Sequence, residues 1–177
     1  MDNVLTTQSC RDDLRFHRQD PGSGESYCLR RMESGDLEQV CELERESFPT
    51  PWSRSAFEAE LKARLYSQPF VIEHRRRVIA FVIAWFIADE LHIANIAVAV
   101  RYRRRGIASW VLGTLFDMAR RDGMKEVYLE VRTSNEGAIR LYRNFGFTVI
   151  DVRRNYYVTE GEDALIMRRL LTQEPSH

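Results

Sequence analysis

Two rhythms of apolar positions alternate along this chain, and together they outline an α/β domain. In Gly106–Arg121, residues Ile107, Val111, Leu112, Leu115, Phe116 and Ala119 recur at the steps of a single helix face. Asp36 with Gln39 has capping-box spacing and opens a helix to about Glu46 that carries Leu37, Val40 and Cys41, with Leu43 or Glu44 completing its face. The segment Phe48–Ser53 breaks the chain, and Ser53 caps a second helix with Phe57 and Leu61. Thr133 with Glu136 predicts a further helix through Ala138, Ile139, Leu141, Tyr142 and Phe145, ending at Gly146.

Between these helices lie short β-rich runs: Tyr27–Met32, Phe70–Glu73, Val78–Ile87, Leu91–Val100, Val127–Val131, Phe147–Val152 and Ala164–Leu170. The charged turn His74–Arg77 makes an antiparallel pair of the second and third. The tyrosine-bearing segment Asn155–Gly161 reads as a loop between the last two. Strands dominate the front and strand–helix–strand–helix–strand follows, so the expected fold is α/β on one mixed sheet. Residues 1–26 are polar and aperiodic and end in Asp20-Pro21-Gly22-Ser23-Gly24, which predicts a flexible N-terminal extension. The folded domain then spans 27–171, with 172–177 as a tail.

Composition changes this picture little. The 177 residues are 44% hydrophobic and 29% charged, an ordinary soluble-domain balance. Net charge is zero, which argues against general nucleic-acid binding. The three cysteines, Cys10, Cys28 and Cys41, lack metal-ligand or disulfide-framework spacing, so no metal is expected and a reduced, cytoplasmic chain is. No apolar run approaches the roughly 20 residues of a membrane span. His74 and His92 are isolated and read as surface or strand-edge residues.

The densest chemical signal is Ile96-Ala97-Val98 followed, after five residues, by Arg103-Arg104-Arg105-Gly106-Ile107-Ala108-Ser109. A strand leads into a small-residue turn where a long helix starts. The first N–H groups of that helix have no intrahelical partners, and the dipole is positive there. Such an end suits a diphosphate; Gly106 and Ala108 keep side chains clear, and the arginines add positive potential. A solvated arginine-rich turn before an ordinary helix fits the same residues. No GxxxxGK[ST] or GxGxxG run is present, which leaves nucleotide hydrolysis and dinucleotide binding unsupported.

Arg103, Gly106 and Ala108 stand at the R/Q-x-x-G-x-G/A spacing of the GNAT N-acetyltransferase family. Tyr128–Asn135, Ala138-Ile139-x-Leu141-Tyr142 and Phe145-Gly146-Phe147 resemble its ribosomal-protein-alanine branch, as do Phe48–Ser53, Arg154-Asn155-Tyr156-Tyr157, Glu162-Asp163-Ala164 and Met167. The resemblance covers about residues 27–170. One departure is Ala99-Val100, where relatives commonly carry Asp-Pro. The resemblance implies a mostly antiparallel central sheet flanked by helices, with acetyl-coenzyme A held at a splayed strand pair and the Arg103–Ser109 turn. It also implies that the pantetheine arm lies along Ile96–Val98, where a backbone N–H polarises the thioester carbonyl, and that Asn135 contacts the cofactor.

Acetyl transfer to an amine needs a neutral nitrogen and a proton for the leaving thiolate. Glu130, in an otherwise apolar strand, is suited to take the amine proton, and burial there would raise its pKa. Tyr142 is suited to protonate the sulfur, its reference pKa near 10 lying close to a thiol's at about 8.5. The resemblance assigns these two residues the same roles. Other readings remain: Glu130 facing solvent or pairing with Arg132 or Arg154, Tyr142 as a core aromatic, and Asn135 as a helix starter.

An α-amino group and a lysine differ by about 2.4 pKa units, roughly 3.3 kcal/mol, which makes a protein N-terminus the easier acceptor. The resemblance points to the N-terminal alanine of a small-subunit ribosomal protein, with Trp52, Tyr156 and Tyr157 facing the peptide. Tyr156 and Tyr157 fit packing of the last hairpin equally well. A lysine or small-amine acetyltransferase is the alternative on the same fold, and a non-catalytic acyl-coenzyme A module a more distant one.

Overall fold

The computed structural model describes residues 14–20 and 22–171. Eight strands and four helices alternate in it: β1 Arg15–Gln19, β2 Ser26–Arg31, α1 Leu37–Ser47, α2 Arg54–Lys62, β3 Ser67–His74, β4 Arg77–Ile87, β5 Glu90–Val98, α3 Ile107–Arg121, β6 Glu126–Arg132, α4 Glu136–Asn144, β7 Thr148–Tyr157 and β8 Glu162–Leu170. The strand order is β1-β2-β3-β4-β5-β6-β8-β7. β5 and β6 run parallel, as the α3 crossover requires, and β1–β2, β2–β3, β6–β8 and β7–β8 are antiparallel. The mixed, mostly antiparallel sheet flanked by helices is the architecture expected.

Two compact units divide the chain. The first runs to Ile83 and includes Asn95–Ala108; the second holds Ala84–Ala94 and the described residues from Ser109 onward. In the first, Tyr27, Leu29, Val40, Phe57, Phe70, Ile72 and Phe81 are fully buried. Phe57 and Phe81 meet edge to face at 5.5 Å. Ser53 caps α2 as predicted, its hydroxyl accepting from Ala56 N–H.

Asp36 does not cap α1. Its carboxylate accepts two bonds from the Arg30 guanidinium, at 2.7 and 2.8 Å, and one from Glu33 N–H. Gln39, the expected partner, accepts from Val78 N–H instead. The β3–β4 turn consists of Arg75 and Arg76, both at positive φ, the geometry of a two-residue hairpin.

Residues 14–26 correct the N-terminal expectation. Arg15–Gln19 pairs with Ser26–Arg31 in full antiparallel register, so a hairpin stands where a flexible lead was read. Ladder bonds and the half-buried Phe16 and Arg18 hold it, without the apolar period that would mark it in sequence. Residues 1–13, Pro21 and the 172–177 tail lie outside the described residues.

In the second unit, Phe116 on α3 touches the Phe145 and Phe147 rings at 5.6 and 6.0 Å. Leu112, Leu115, Val127, Leu129 and Met167 complete this core. The β5–β6 register pairs Glu90–Ile93 with Glu126–Leu129 and ends there. Asn135 caps α4 by accepting from Ala138 N–H, and Thr133 turns to Glu162 rather than forming the predicted box. β7 runs on through Asn155 to Tyr157, so Tyr156 and Tyr157 belong to a strand, past a register shift where Asn155 takes positive φ.

Candidate functional site

In the first unit, β5 delivers the chain through a short 3-10 turn, Val100–Tyr102, to Arg103–Ala108. Arg104 and Gly106 have positive φ, of 64° and 72°, after an extended Arg103, so the backbone turns sharply where α3 begins. Among the described residues, the N–H groups of Gly106 and Ile107 donate to no acceptor within the chain. A cradle of free amides at a helix start is the arrangement a diphosphate fits.

The three arginines, expected to add positive potential at this turn, are held differently. Arg103 donates through Nε to the Val98 carbonyl at 2.8 Å. Arg105 pairs with Glu25 at 2.7 Å, which neutralises much of its charge, and its guanidinium lies 5.2 Å from the Tyr102 ring. Arg104 is exposed. Beneath the turn, Tyr27, His74 and Tyr102 form an aromatic cluster with centroids 5.2 to 6.5 Å apart. His74 is therefore buried, contrary to the surface reading, and its Nδ1 donates to the Ser26 carbonyl at 2.8 Å. His92 is half-exposed and bonds Glu90 at 2.7 Å.

Ile96 and Val98 are half-buried and Ala97 is buried, as the alternation along β5 dictates. Asn95, on the buried face, brings in a residue the sequence left unassigned. Its Nδ2 donates to both oxygens of Glu44, each at 3.2 Å, and Trp52 N–H donates to Glu44 Oε1 at 2.9 Å. Glu44 is 1% exposed. Burial pushes its carboxyl up, against the lowering bonds from Trp52 and Asn95. This carboxylate ties the Phe48–Ser53 loop to β5. In sequence it was indistinguishable from Leu43 as a face residue.

In the second unit, the β6 alternation sends Val127, Leu129 and Val131 inward and Glu130 outward. The burial expected for Glu130 is absent: its side chain is 32% exposed and pairs with Arg153 at 2.6 Å. That partner on β7 is neither of the two arginines weighed from sequence. Arg153 also stacks on Tyr156 at 5.4 Å. The Glu130 carboxylate, through hydrogen bonding first, pushes the Tyr156 phenol up.

Tyr157 packs edge-on against Tyr156 at 5.2 Å and lies under Arg132 at 3.6 Å. Arg132 also faces Glu162 and Glu160, at 3.3 and 3.6 Å. Tyr142 on α4 is buried against Phe147 at 5.8 Å. Burial, with Tyr157 adding, pushes its phenol up to about 12. It is both a core aromatic and a firmly held proton, and the near match to a thiol pKa drawn from reference values does not hold. Glu130, Tyr156, Tyr157 and Tyr142 thus fall in one unit; Trp52, Ile96–Val98 and Arg103–Ala108 fall in the other, and Ser109 in the first turn of α3.

The mixed, mostly antiparallel sheet flanked by helices is the fold of a class of acyl-transfer proteins. Residues 37–147 match the model of the acetyltransferase (GNAT) family, and the chain belongs to that family. Among its relatives, the Escherichia coli K12 [ribosomal protein bS18]-alanine N-acetyltransferase is 36% identical over 141 residues, covering 78% of this chain and 94% of that one. The crystal structure of the ribosomal-protein-S18-alanine N-acetyltransferase from Escherichia coli superposes with a TM-score of 0.76 at 33% identity, over 85% of this chain and 97% of that chain. Arabidopsis thaliana NAA60, solved with acetyl-CoA, shares the fold at a TM-score of 0.73 and 20% identity, over 81% of this chain and 99% of that one. No helix among the described residues is long and apolar enough to cross a membrane.

Proposed function

We propose that the chain transfers the acetyl group of acetyl-coenzyme A directly to the N-terminal amine of a protein, with the alanine terminus of a small-subunit ribosomal protein as acceptor. The observation that carries this is 36% identity across nearly the whole of a ribosomal-protein-alanine acetyltransferase, with the carboxylate and phenol twelve residues apart on successive elements. The setting is the cytoplasm, where nascent ribosomal proteins are found.

The cofactor supplies an activated acyl thioester; the chain supplies placement and proton handling. The free N–H groups of Gly106 and Ile107 hold the diphosphate, with Arg104, Ala108 and Ser109 around them. The β5 backbone beyond Ile93 takes no part in the β5–β6 register, which supports main-chain contact to the acetyl donor at Ile96–Val98. Asn135 serves first as the α4 cap, and a cofactor contact would come in addition.

Glu130 takes the proton that the amine loses as its C–N bond forms, directly or through a water; its exposure leaves it open to an incoming amine. Tyr142 faces the sulfur as the C–S bond breaks. With its phenol at about 12 and a thiol near 8.5, full transfer to free thiolate is uphill by about 3.5 units. Its contribution is a hydrogen bond that strengthens as sulfur charge builds. No cysteine lies in these segments, in keeping with direct attack. Trp52, Tyr156 and Tyr157 receive the peptide.

Thiol release from acetyl-coenzyme A with an alanine-starting peptide tests this reading. Glu130→Gln is expected to lower kcat about 10²-fold or more while coenzyme A still binds. Unchanged turnover in both Glu130→Gln and Tyr142→Phe would overturn the assigned roles.

A further inference from the structure

β1 lies outside the residues matched by the family model, and one of its side chains reaches the cofactor turn. Arg18 Nη1 donates to the Gly106 carbonyl at 2.6 Å and Nη2 to the Arg105 carbonyl at 3.2 Å. The two carbonyls belong to successive peptide units, the units that also carry the N–H groups of Gly106 and Ile107. Both peptide bonds are trans, as are all those among the described residues, so in each unit the N–H points opposite to the C=O. A guanidinium that grips both carbonyls from one side therefore turns both amides to the other.

The fit is close. A Cβ on Gly106 would lie 3.1 Å from Arg18 Nη2, and Gly106 already needs its positive φ. Arg18 is the cross-strand partner of Tyr27, which floors the turn, and Glu25 on the same hairpin holds Arg105. The rigid fork of arginine presents two nitrogens to two carbonyls at once, where a lysine has a single nitrogen on a flexible stem.

We propose that Arg18 is a positioning residue for the anion cradle, holding the Gly106 and Ile107 N–H groups outward for the diphosphate of the acetyl donor. This rests on the reading of Arg103–Ser109 as the diphosphate site. Arg18 acts through the backbone and touches no reacting atom.

The test compares a donor with a diphosphate to one without. Coenzyme A affinity is measured by calorimetry, and transfer from acetyl-pantetheine, which has no diphosphate, is followed on an alanine-starting peptide. Arg18→Met is expected to weaken coenzyme A about tenfold, the effect of losing one well-made charged hydrogen bond. Transfer from acetyl-pantetheine is expected to stay within about twofold. Arg18→Lys, which keeps the charge and one donor nitrogen without the fork, is expected to recover part of the loss and serves if the methionine variant does not fold.

Coenzyme A binding at wild-type strength in either folded variant, or equal losses with both donors, would overturn the proposal. Gly106→Val, which puts a side chain into the cradle, separates the two levels. If it weakens coenzyme A while the Arg18 variants do not, the diphosphate site stands and Arg18 has no part in it. If it changes nothing, the turn is not the diphosphate site and both readings fail.

Discussion

Replacing Glu44 offers a quantitative check on how the first unit holds its loop. The carboxylate is 1% exposed, has no cationic partner among its described contacts, and accepts from Trp52 N–H and from the buried Asn95 amide. Alanine leaves those donors unpaired and opens a void beneath the loop. A buried donor without an acceptor costs about 1–3 kcal/mol, and Trp52 is only half-buried, so the combined loss is about 3 kcal/mol. For a chain of this length that is about 6–12 °C in Tm.

Glu44→Gln keeps an acceptor and removes the charge, so it is expected to stay within about 1 kcal/mol of wild type at neutral pH. The two variants also differ in pH dependence. Burial raises the Glu44 carboxyl, so the folded state binds its proton more tightly than the unfolded chain does. Its contribution to stability is present below the unfolded pKa and is lost as pH rises through the folded one. Glu44→Gln removes that fall. Urea denaturation across pH 4.5–7.5 reads both effects. Glu44→Ala within about 0.5 kcal/mol of wild type, or an unaltered pH slope in Glu44→Gln, would refute the reasoning.

The Tyr142 phenol, at about 12 when folded against about 10 unfolded, contributes stability that is full below pH 10 and lost through pH 12; Tyr142→Phe is expected to remove an alkaline loss of about 2 kcal/mol between pH 9 and 11.5, read by denaturation at those two values. Asp36 shows the opposite sign. Burial raises its carboxyl, but the Arg30 and Glu33 bonds outweigh burial and the net shift is downward, so its stabilisation is lost as pH falls below the usual carboxylate range. Asp36→Asn should flatten the acid side of the stability profile. Asn135→Ala removes the α4 cap and is expected to cost about 1 kcal/mol, which Asn135→Ser largely restores. A rise in the acetyl-coenzyme A KM in Asn135→Ser would mark a cofactor contact beyond the cap.

Helices and buried strands were legible because they are defined by repeats: the α3 stripe from Ile107 to Ala119 and the inward row Val127, Leu129, Val131 carry their own period. Phase on a strand is harder. Glu130 between two inward residues was read as buried, whereas alternation sends it outward to Arg153, a residue on a strand non-local in sequence. β1 carries no strand signal in the sequence because half-buried Phe16 and Arg18 alternate with exposed polar residues and its ladder bonds leave no trace in side-chain chemistry. Tyr156 and Tyr157 read as loop because Asn155 and Gly161 are turn formers, yet Asn155 takes its positive φ inside β7. The Arg103–Ser109 turn is visible as a motif. The support beneath it, from Arg18, Glu25 and His74, depends on strand pairing that no local pattern encodes.

The central claim is transfer to a protein N-terminus, and one peptide bearing both a free N-terminal alanine and an internal lysine tests it most directly. After incubation with acetyl-coenzyme A and the protein, fragment masses locate the acetyl group. The account predicts acetylation on the alanine nitrogen, lost in Glu130→Gln. Acetylation confined to the lysine would contradict it.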